Sequence, residues 1–262
     1  MPKKPFNAYK SNVTIELVEP LEIPTNITYA EKHQLLSSSA RQIDVSYNGN
    51  HVYSCTVPKN VFNPYGSMVP RKVVELILDG TMSVKGRKVV DLGCGCGLIG
   101  LAAILMDCQQ ILFSDINPNV MPLQKHPLLR EQDSVKVQDV LVNEADESWD
   151  SIIACPPSQA LERAAATDNY ESGIFLSGDL ISRIIIDAAR VLKPGGEFFL
   201  YVRLPHRSFM DCYPFMMQLN QYFDLSTMNM LDFATGKDFP YGDPDTSALF
   251  FSIKKMLRVS QS

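Results

Sequence analysis

Val89-Val90-Asp91-Leu92-Gly93-Cys94-Gly95-Cys96-Gly97-Leu98-Ile99-Gly100 is the stretch on which the fold turns. It opens as a short β-branched run, passes through three glycines at alternate positions, and continues as an apolar segment from Leu98 to Met106. A strand that runs through glycines into a helix predicts the first βα unit of an open α/β sheet. Glycine carries no Cβ, so the backbone can turn tightly and lie directly against a ligand. Open α/β sheets take their ligands beyond the carboxyl ends of the strands.

The segments downstream keep the same rhythm. Gln110 to Ser114, Ser134 to Val137, Ser151 to Ala154, Glu197 to Val202 and Ala248 to Lys254 read as further strands. Between them, Asn117-Pro118 opens a turn, and Leu180 to Leu192 is an amphipathic helix closed by Lys193-Pro194-Gly195-Gly196. Such alternation requires right-handed crossovers and a mostly parallel sheet with helices on both faces. The expected fold is a Rossmann-like α/β sheet of seven strands, the last one antiparallel.

Upstream the texture changes. Residues 1–68 contain short β-like runs, Val13 to Val18, Ile43 to Tyr47 and His51 to Val57, broken by Pro, Asn and Gly. Asn48-Gly49 between two alternating stretches predicts a β-hairpin. The chain therefore divides into an N-terminal extension, 1–68, and a main domain, 69–262, with Arg71 to Leu78 as the helix that enters it.

The 262 residues include 24 Lys and Arg against 29 Asp and Glu, a formal net charge of -5. Proteins that grip long RNA or DNA usually show a basic face, so this balance argues against extended nucleic acid as a partner. No run is long and apolar enough for a membrane span, and no apolar stretch follows Lys3-Lys4 as in a secretory signal. The expectation is a cytoplasmic protein with no membrane partner. The six cysteines lack paired metal spacing and read as free thiols. Cys94-Gly95-Cys96 has no histidine near it in sequence, so no metal site is expected.

Two cofactors compete for the glycine loop. Gly95-x-Gly97-x-x-Gly100 satisfies the dinucleotide fingerprint of a nicotinamide-dependent oxidoreductase. Asp91, two residues before the first glycine, separates the readings, because a carboxylate favours a cationic ligand over a pyrophosphate. The pattern Asp91-x-Gly93-x-Gly95-x-Gly97 resembles motif I of class I S-adenosylmethionine-dependent methyltransferases. The resemblance implies S-adenosyl-L-methionine as cofactor, with Asp91, Gly93, Cys94, Gly95 and Gly97 along its methionine end. Phe113-Ser114-Asp115-Ile116-Asn117 resembles motif II, 24 residues on, in which the acid accepts the ribose hydroxyls. Gln138-Asp139-Val140-Leu141 resembles the turn whose Asp accepts the adenine amino group.

After the fourth strand, Cys155-Pro156-Pro157-Ser158 stands where relatives that methylate planar nitrogens carry Asn/Asp-Pro-Pro-aromatic, as in the release-factor glutamine and ribosomal RNA guanine methyltransferases. This chain keeps both prolines and replaces both ends. Cys155 is a weaker acceptor than Asn, and Ser158 cannot stack. Val61-Phe62-Asn63-Pro64-Tyr65 resembles the segment of that group that crosses the cofactor, which implies that Phe62 and Tyr65 line the acceptor pocket; a hydrophobic staple for the next helix is the plainer alternative. The resemblance thus implies methyl transfer to a nitrogen of a small-molecule or protein acceptor, with an RNA nucleobase as the alternative. A non-catalytic module that keeps the cofactor fold is the reading from another class. His206, Tyr170, Glu171, Asp179 and the 237–244 loop are further candidates around the pocket, and Met216, Met217, Met228 and Met230 are expected to fill core.

Overall fold

A computed structural model describes residues 11–27, 29–156, 159–160, 175–176, 179–205, 209–235 and 246–257. Pro157, Ser158, Tyr170, Glu171, His206 and the 237–244 loop lie outside the described residues.

The N-terminal segment forms a three-stranded antiparallel sheet, β1 (Val13–Leu17), β2 (Arg41–Tyr47) and β3 (Asn50–Val57), in that order. Asn48 and Gly49 join β2 to β3 with φ of 51° and 76°, the two left-handed positions that a twist-matched hairpin turn needs. Helix α1 (Tyr29–Ser37) lies between β1 and β2 and had no counterpart in the sequence pattern. Its buried residues include His33, Leu36 and Ser37.

Helix α2 (Met68–Leu78) leads into the main sheet. The strands there are β4 (Lys88–Leu92), β5 (Gln110–Asp115), β6 (Ser134–Val137), β7 (Trp149–Ala154), β10 (Leu192–Pro205), β11 (Phe223–Thr235) and β12 (Thr246–Lys255). Their spatial order is β11-β12-β10-β7-β4-β5-β6. β7, β4, β5, β6 and β10 pair in parallel, whereas β12 runs antiparallel to both β10 and β11. This is the expected α/β architecture, with the antiparallel strand inserted one place from the edge. The short pair β8 (Gln159–Ala160) and β9 (Phe175–Leu176) forms a separate parallel ladder.

Two apolar layers cover the sheet. One unites α2, α3 (Leu98–Leu105) and the inward rows of the N-terminal sheet, from Val13 and Val45 to Leu101 and Phe113. The other packs α4 (Leu180–Val191) through Ile184, Ile185 and Ala188 onto Val90, Ile152 and Phe198; Phe215, which lies within α5 (Phe209–Asn220), joins its margin. The N-terminal sheet therefore shares a core with the main domain. Glu75 of α2 ties it further, accepting from Ser11 Oγ and the Asn12 N–H, each at 3.0 Å.

Two expectations are corrected. Lys193-Pro194-Gly195-Gly196 falls within β10, as an unpaired irregularity in its register rather than a turn ahead of it. Leu192 already pairs with Trp149, and pairing resumes at Glu197 opposite Ser151, with Gly195 at φ 74°. Met217 and Met230 are 43% and 46% exposed and fill no core, since Met230 lies on β11, an edge strand with a face to solvent. Met216 and Met228 pack against the second apolar layer, as expected.

Candidate functional site

The site is assembled at the carboxyl edge of β4, β5 and β7. Beyond Leu92 the chain turns through Gly93, Gly95 and Gly97 at φ of 74°, 53° and 81°. The turn is pinned to its neighbour strand, because the N–H groups of Gly93 and Cys94 both donate to the Ser114 carbonyl, at 2.8 and 3.1 Å. A Cβ on Gly93 would meet nothing within 4 Å, and one on Gly95 only Val61 at 3.7 Å. This part of the loop offers bare backbone to open space. Gly97 and Gly100 do another job: a Cβ there would strike Leu123 at 2.6 Å and Phe113 at 2.2 Å. They let α3 close onto the sheet.

Two carboxylates brace the loop. Asp91 is 2% exposed, and its Oδ2 accepts from the Gly100 N–H at 2.8 Å, in the first turn of α3. Burial raises its pKa to about 7, against the help of that N–H, and the nearby Asp115 charge adds to the rise. Asp115, at the tip of β5, receives the Gly95 N–H on Oδ2 at 2.8 Å and the Asn117 N–H on Oδ1 at 2.9 Å. Burial lifts its pKa too, opposed by these backbone donors.

Asn117 links three segments. Its Oδ1 caps the 3-10 turn that begins at Pro118 by accepting from the Asn119 N–H, and its Nδ2 donates to the Asn60 carbonyl at 2.7 Å. The N-terminal segment is thereby held across the glycine loop, where Val61 lies beside Gly95. Ile116, beside it, is 51% exposed.

Asp139 and Val140 follow β6. Val140 adopts φ 50°, a left-handed conformation that costs a β-branched residue, and its carbonyl accepts from Ser114 Oγ at 2.8 Å. The Asp139 carboxylate is half-exposed and bonded to Arg183 of α4, which also pairs with Asp179 at 3.0 Å. Nothing in the local sequence announces Arg183 or Asn60 as neighbours of the site, since both arrive from distant elements.

On the other flank, Ala154 of β7 lies opposite Leu92 of β4 and Leu200 of β10, so Cys155 leaves the sheet next to the glycine loop. Burial pushes the Cys155 thiol well up, and the Asp91 charge adds to this; it is a protonated thiol at neutral pH. Pro156 is buried behind it. Phe62 stacks on His33 with ring centroids 4.6 Å apart. Tyr65 is half-buried, its N–H held by Asn63 Oδ1 at 3.0 Å. The structure therefore gathers the loop, Asp91, Asp115, Asn117 and Cys155 around one sheet edge. Phe62 is engaged with α1 through the ring of His33.

Comparison with known proteins adds a family. The profile of the methyltransferase small domain matches residues 73–224, more than half of the chain. The ribosomal RNA small subunit methyltransferase C of Hahella chejuensis is 26% identical over 145 residues, 53% of this chain and 38% of that protein. A Methanocaldococcus jannaschii protein named for N5-glutamine methyltransfer is 26% identical over 126 residues, 46% of this chain and 64% of its own. The chain thus spans between 38% and 64% of the length of these relatives. Among solved structures, a T. thermophilus 16S rRNA N2 G1207 methyltransferase in complex with AdoMet and guanosine superposes with a TM-score of 0.51 at 22% identity, over 84% of this chain and 51% of that one. At that identity the likeness is one of fold.

Proposed function

The chain belongs to the methyltransferase small domain family, and from that premise we propose that it is a class I S-adenosylmethionine-dependent methyltransferase acting on a nitrogen of a small-molecule or protein acceptor. The observation that carries this reading is the open-faced glycine loop braced by Asp91 below and Asp115 beside it.

The residues present fit the cofactor. Asp115 receives the Gly95 N–H on one oxygen and the Asn117 N–H on the other, and a carboxylate offers about four acceptor positions, which leaves capacity for a ribose hydroxyl. Gly93 and Gly95 leave the backbone bare where the methionine end would lie. Two buried acids beside the loop favour a cationic ligand and oppose the pyrophosphate of a dinucleotide. Asp139 and Val140 would bound the adenine, with Arg183 fixing the acid. Asn117 and Ile116 would line the ribose side.

When bound, S-adenosylmethionine supplies a methyl group on a positively charged sulfonium. The chain's contribution is to hold acceptor, methyl and sulfur in a line and to exclude water. Asp91 would stabilise positive charge near the loop. Cys155, a neutral thiol, gives a nitrogen acceptor little to hydrogen-bond, so orientation falls to the main chain of Cys155, Pro156, Pro157 and Ser158, and to Tyr65. The N-terminal extension, residues 1–68, covers the pocket through Asn60 and Val61. An RNA nucleobase is the second reading, supported by the likeness to a ribosomal RNA methyltransferase and opposed by the net charge of -5. Among the described residues, no helix is long and apolar enough to cross a membrane.

Isothermal titration with S-adenosylmethionine, S-adenosylhomocysteine and NAD(H) tests the cofactor. Micromolar binding of the first two, lost in Asp115→Ala, is the expected result; binding of NAD(H) alone would overturn the reading. Methyl transfer from labelled cofactor into the protein, RNA and metabolite fractions of an extract then decides the acceptor class.

A further inference from the structure

The strand β3 presents Tyr53, Cys55 and Val57 inward as a buried row, and this row lands on the junction between the glycine loop and α3. Tyr53 donates its hydroxyl to the Leu98 carbonyl at 2.6 Å. One step along the row, the Cys55 thiol faces that of Cys96, Sγ to Sγ 3.8 Å, with the two residues 41 positions apart in sequence. Both are almost fully enclosed, at 2% and 4% exposure. Cys96 lies between Gly95 and Gly97, in the loop assigned above to the cofactor.

We propose that Cys55 and Cys96 form a reversible disulfide under peroxide, and that this bond weakens cofactor binding by drawing the glycine loop toward the N-terminal sheet. The inference rests on the cofactor reading for its consequence but not for its chemistry. One thiol attacks a peroxide oxygen; the O–O bond breaks, water leaves and a sulfenic acid forms. The second thiol then attacks that sulfur, an S–S bond forms and a second water leaves. Two thiols and one hydrogen peroxide thus become one disulfide and two waters, the two electrons passing from sulfur to oxygen. An added dithiol reverses it.

The geometry gives this pair its consequence. Closing 3.8 Å to the S–S bond length of about 2 Å moves Cys96, whose preceding residue supplies the N–H that holds Asp115 Oδ2 at 2.8 Å. Displacing Gly95 loosens the ribose acid. The other thiols are differently placed: Cys94 turns to the Gly95 carbonyl at 3.9 Å, Cys155 follows β7, and Cys108, ahead of β5, receives an Arg130 N–H at 3.4 Å. The Cys55 thiol, hydrogen-bonded to Cys96 and buried, has its pKa raised well above the usual value. Attack on peroxide therefore needs the β3 row to lift from the loop, and a ligand that holds the loop protects the pair.

The test is mass spectrometry of the full chain after hydrogen peroxide and alkylation, with and without S-adenosylhomocysteine, and calorimetry on the same samples. The expected result is a dithiol-reversible Cys55–Cys96 peptide, formed more slowly with ligand present, and an affinity about tenfold lower in the linked form. Cys55→Ala and Cys55→Val should bind as the reduced protein does and lose the peroxide response, while Cys108→Ala should keep it. Oxidation confined to other cysteines, or a Cys55 variant that still responds, overturns the proposal. A reduced protein that binds no S-adenosyl compound removes the cofactor reading instead, and the linked peptide reports on the thiol pair independently of that.

Discussion

The segments that follow β4 and β7 leave adjacent strands at the same edge of the sheet, yet they are built on opposite plans. After β4 the loop is held through its own main-chain N–H groups: Gly93 and Cys94 donate to the Ser114 carbonyl, Gly95 and Gly100 to the carboxylates of Asp115 and Asp91. After β7 the turn begins with a protonated thiol and a proline, which bring a poor hydrogen-bonding side chain and a missing N–H. Under the proposed function, the cofactor would be served by this frame of main-chain donors, whatever the side chains between the glycines. The turn after β7 is where the proposed acceptor would lie, and there this chain departs from the Asn-Pro-Pro-aromatic pattern, leaving main-chain groups to orient it.

Breaking the first plan should cost most. Gly100→Ala sets a methyl 2.2 Å from the Phe113 ring, an overpacking of about 3 kcal/mol visible as a lower melting temperature; an unchanged melt would mean that α3 slides freely on β5. Asp115→Ala should lower S-adenosylhomocysteine affinity roughly 100-fold by calorimetry, through the loss of charge-assisted bonds to hydroxyls and of the Gly95 tether.

Asp91 adds a pH signature to the same loop. Its pKa of about 7 means that the carboxyl is largely protonated below that pH and ionised above it. A cationic ligand prefers the ionised form, so affinity should fall as pH drops through 7, by up to about tenfold per unit. Stability takes the opposite sign. The folded state retains a proton that the unfolded chain gives up near pH 4, so this group's contribution declines as pH rises from there to about 7, then levels off. Asp91→Asn should flatten both curves; a slope that survives it assigns the titration to another group.

The second plan should tolerate change. Cys155→Asn should shift stability by less than about 1 kcal/mol and cofactor affinity by less than about threefold, while widening the acceptors methylated in a substrate panel. A large loss of cofactor binding in this variant would erase the contrast between the two turns.

What was legible in the sequence follows the same divide. The loop after β4 could be read because glycine at φ 74°, 53° and 81° is a requirement of the backbone and so is written in residue type. The same holds for Asn48-Gly49. Helix α1 was not legible: it is fixed by tertiary packing, with His33 stacked on Phe62, and shows no apolar stripe of its own. The ion pair of Asp139 with Arg183 joins residues 44 apart, and β11 is an edge strand whose exposed Met230 blurs the expected alternation. Phe62, read as either an acceptor-pocket ring or a staple for the next helix, stacks on His33 of α1, a partner its local sequence does not name.

The Asn117 amide, with one end on the 3-10 turn and the other on the Asn60 carbonyl, has a consequence for how the molecule breathes. With Tyr53 bonded to Leu98 and Glu75 to Ser11 and Asn12, the three-stranded sheet cannot detach without uncovering the core it shares with α2 and α3. Its amide protons should therefore exchange with solvent in step with those of β4 and β5, as one cooperative unit. Ligand added at the glycine loop should slow exchange as far away as the β2–β3 hairpin.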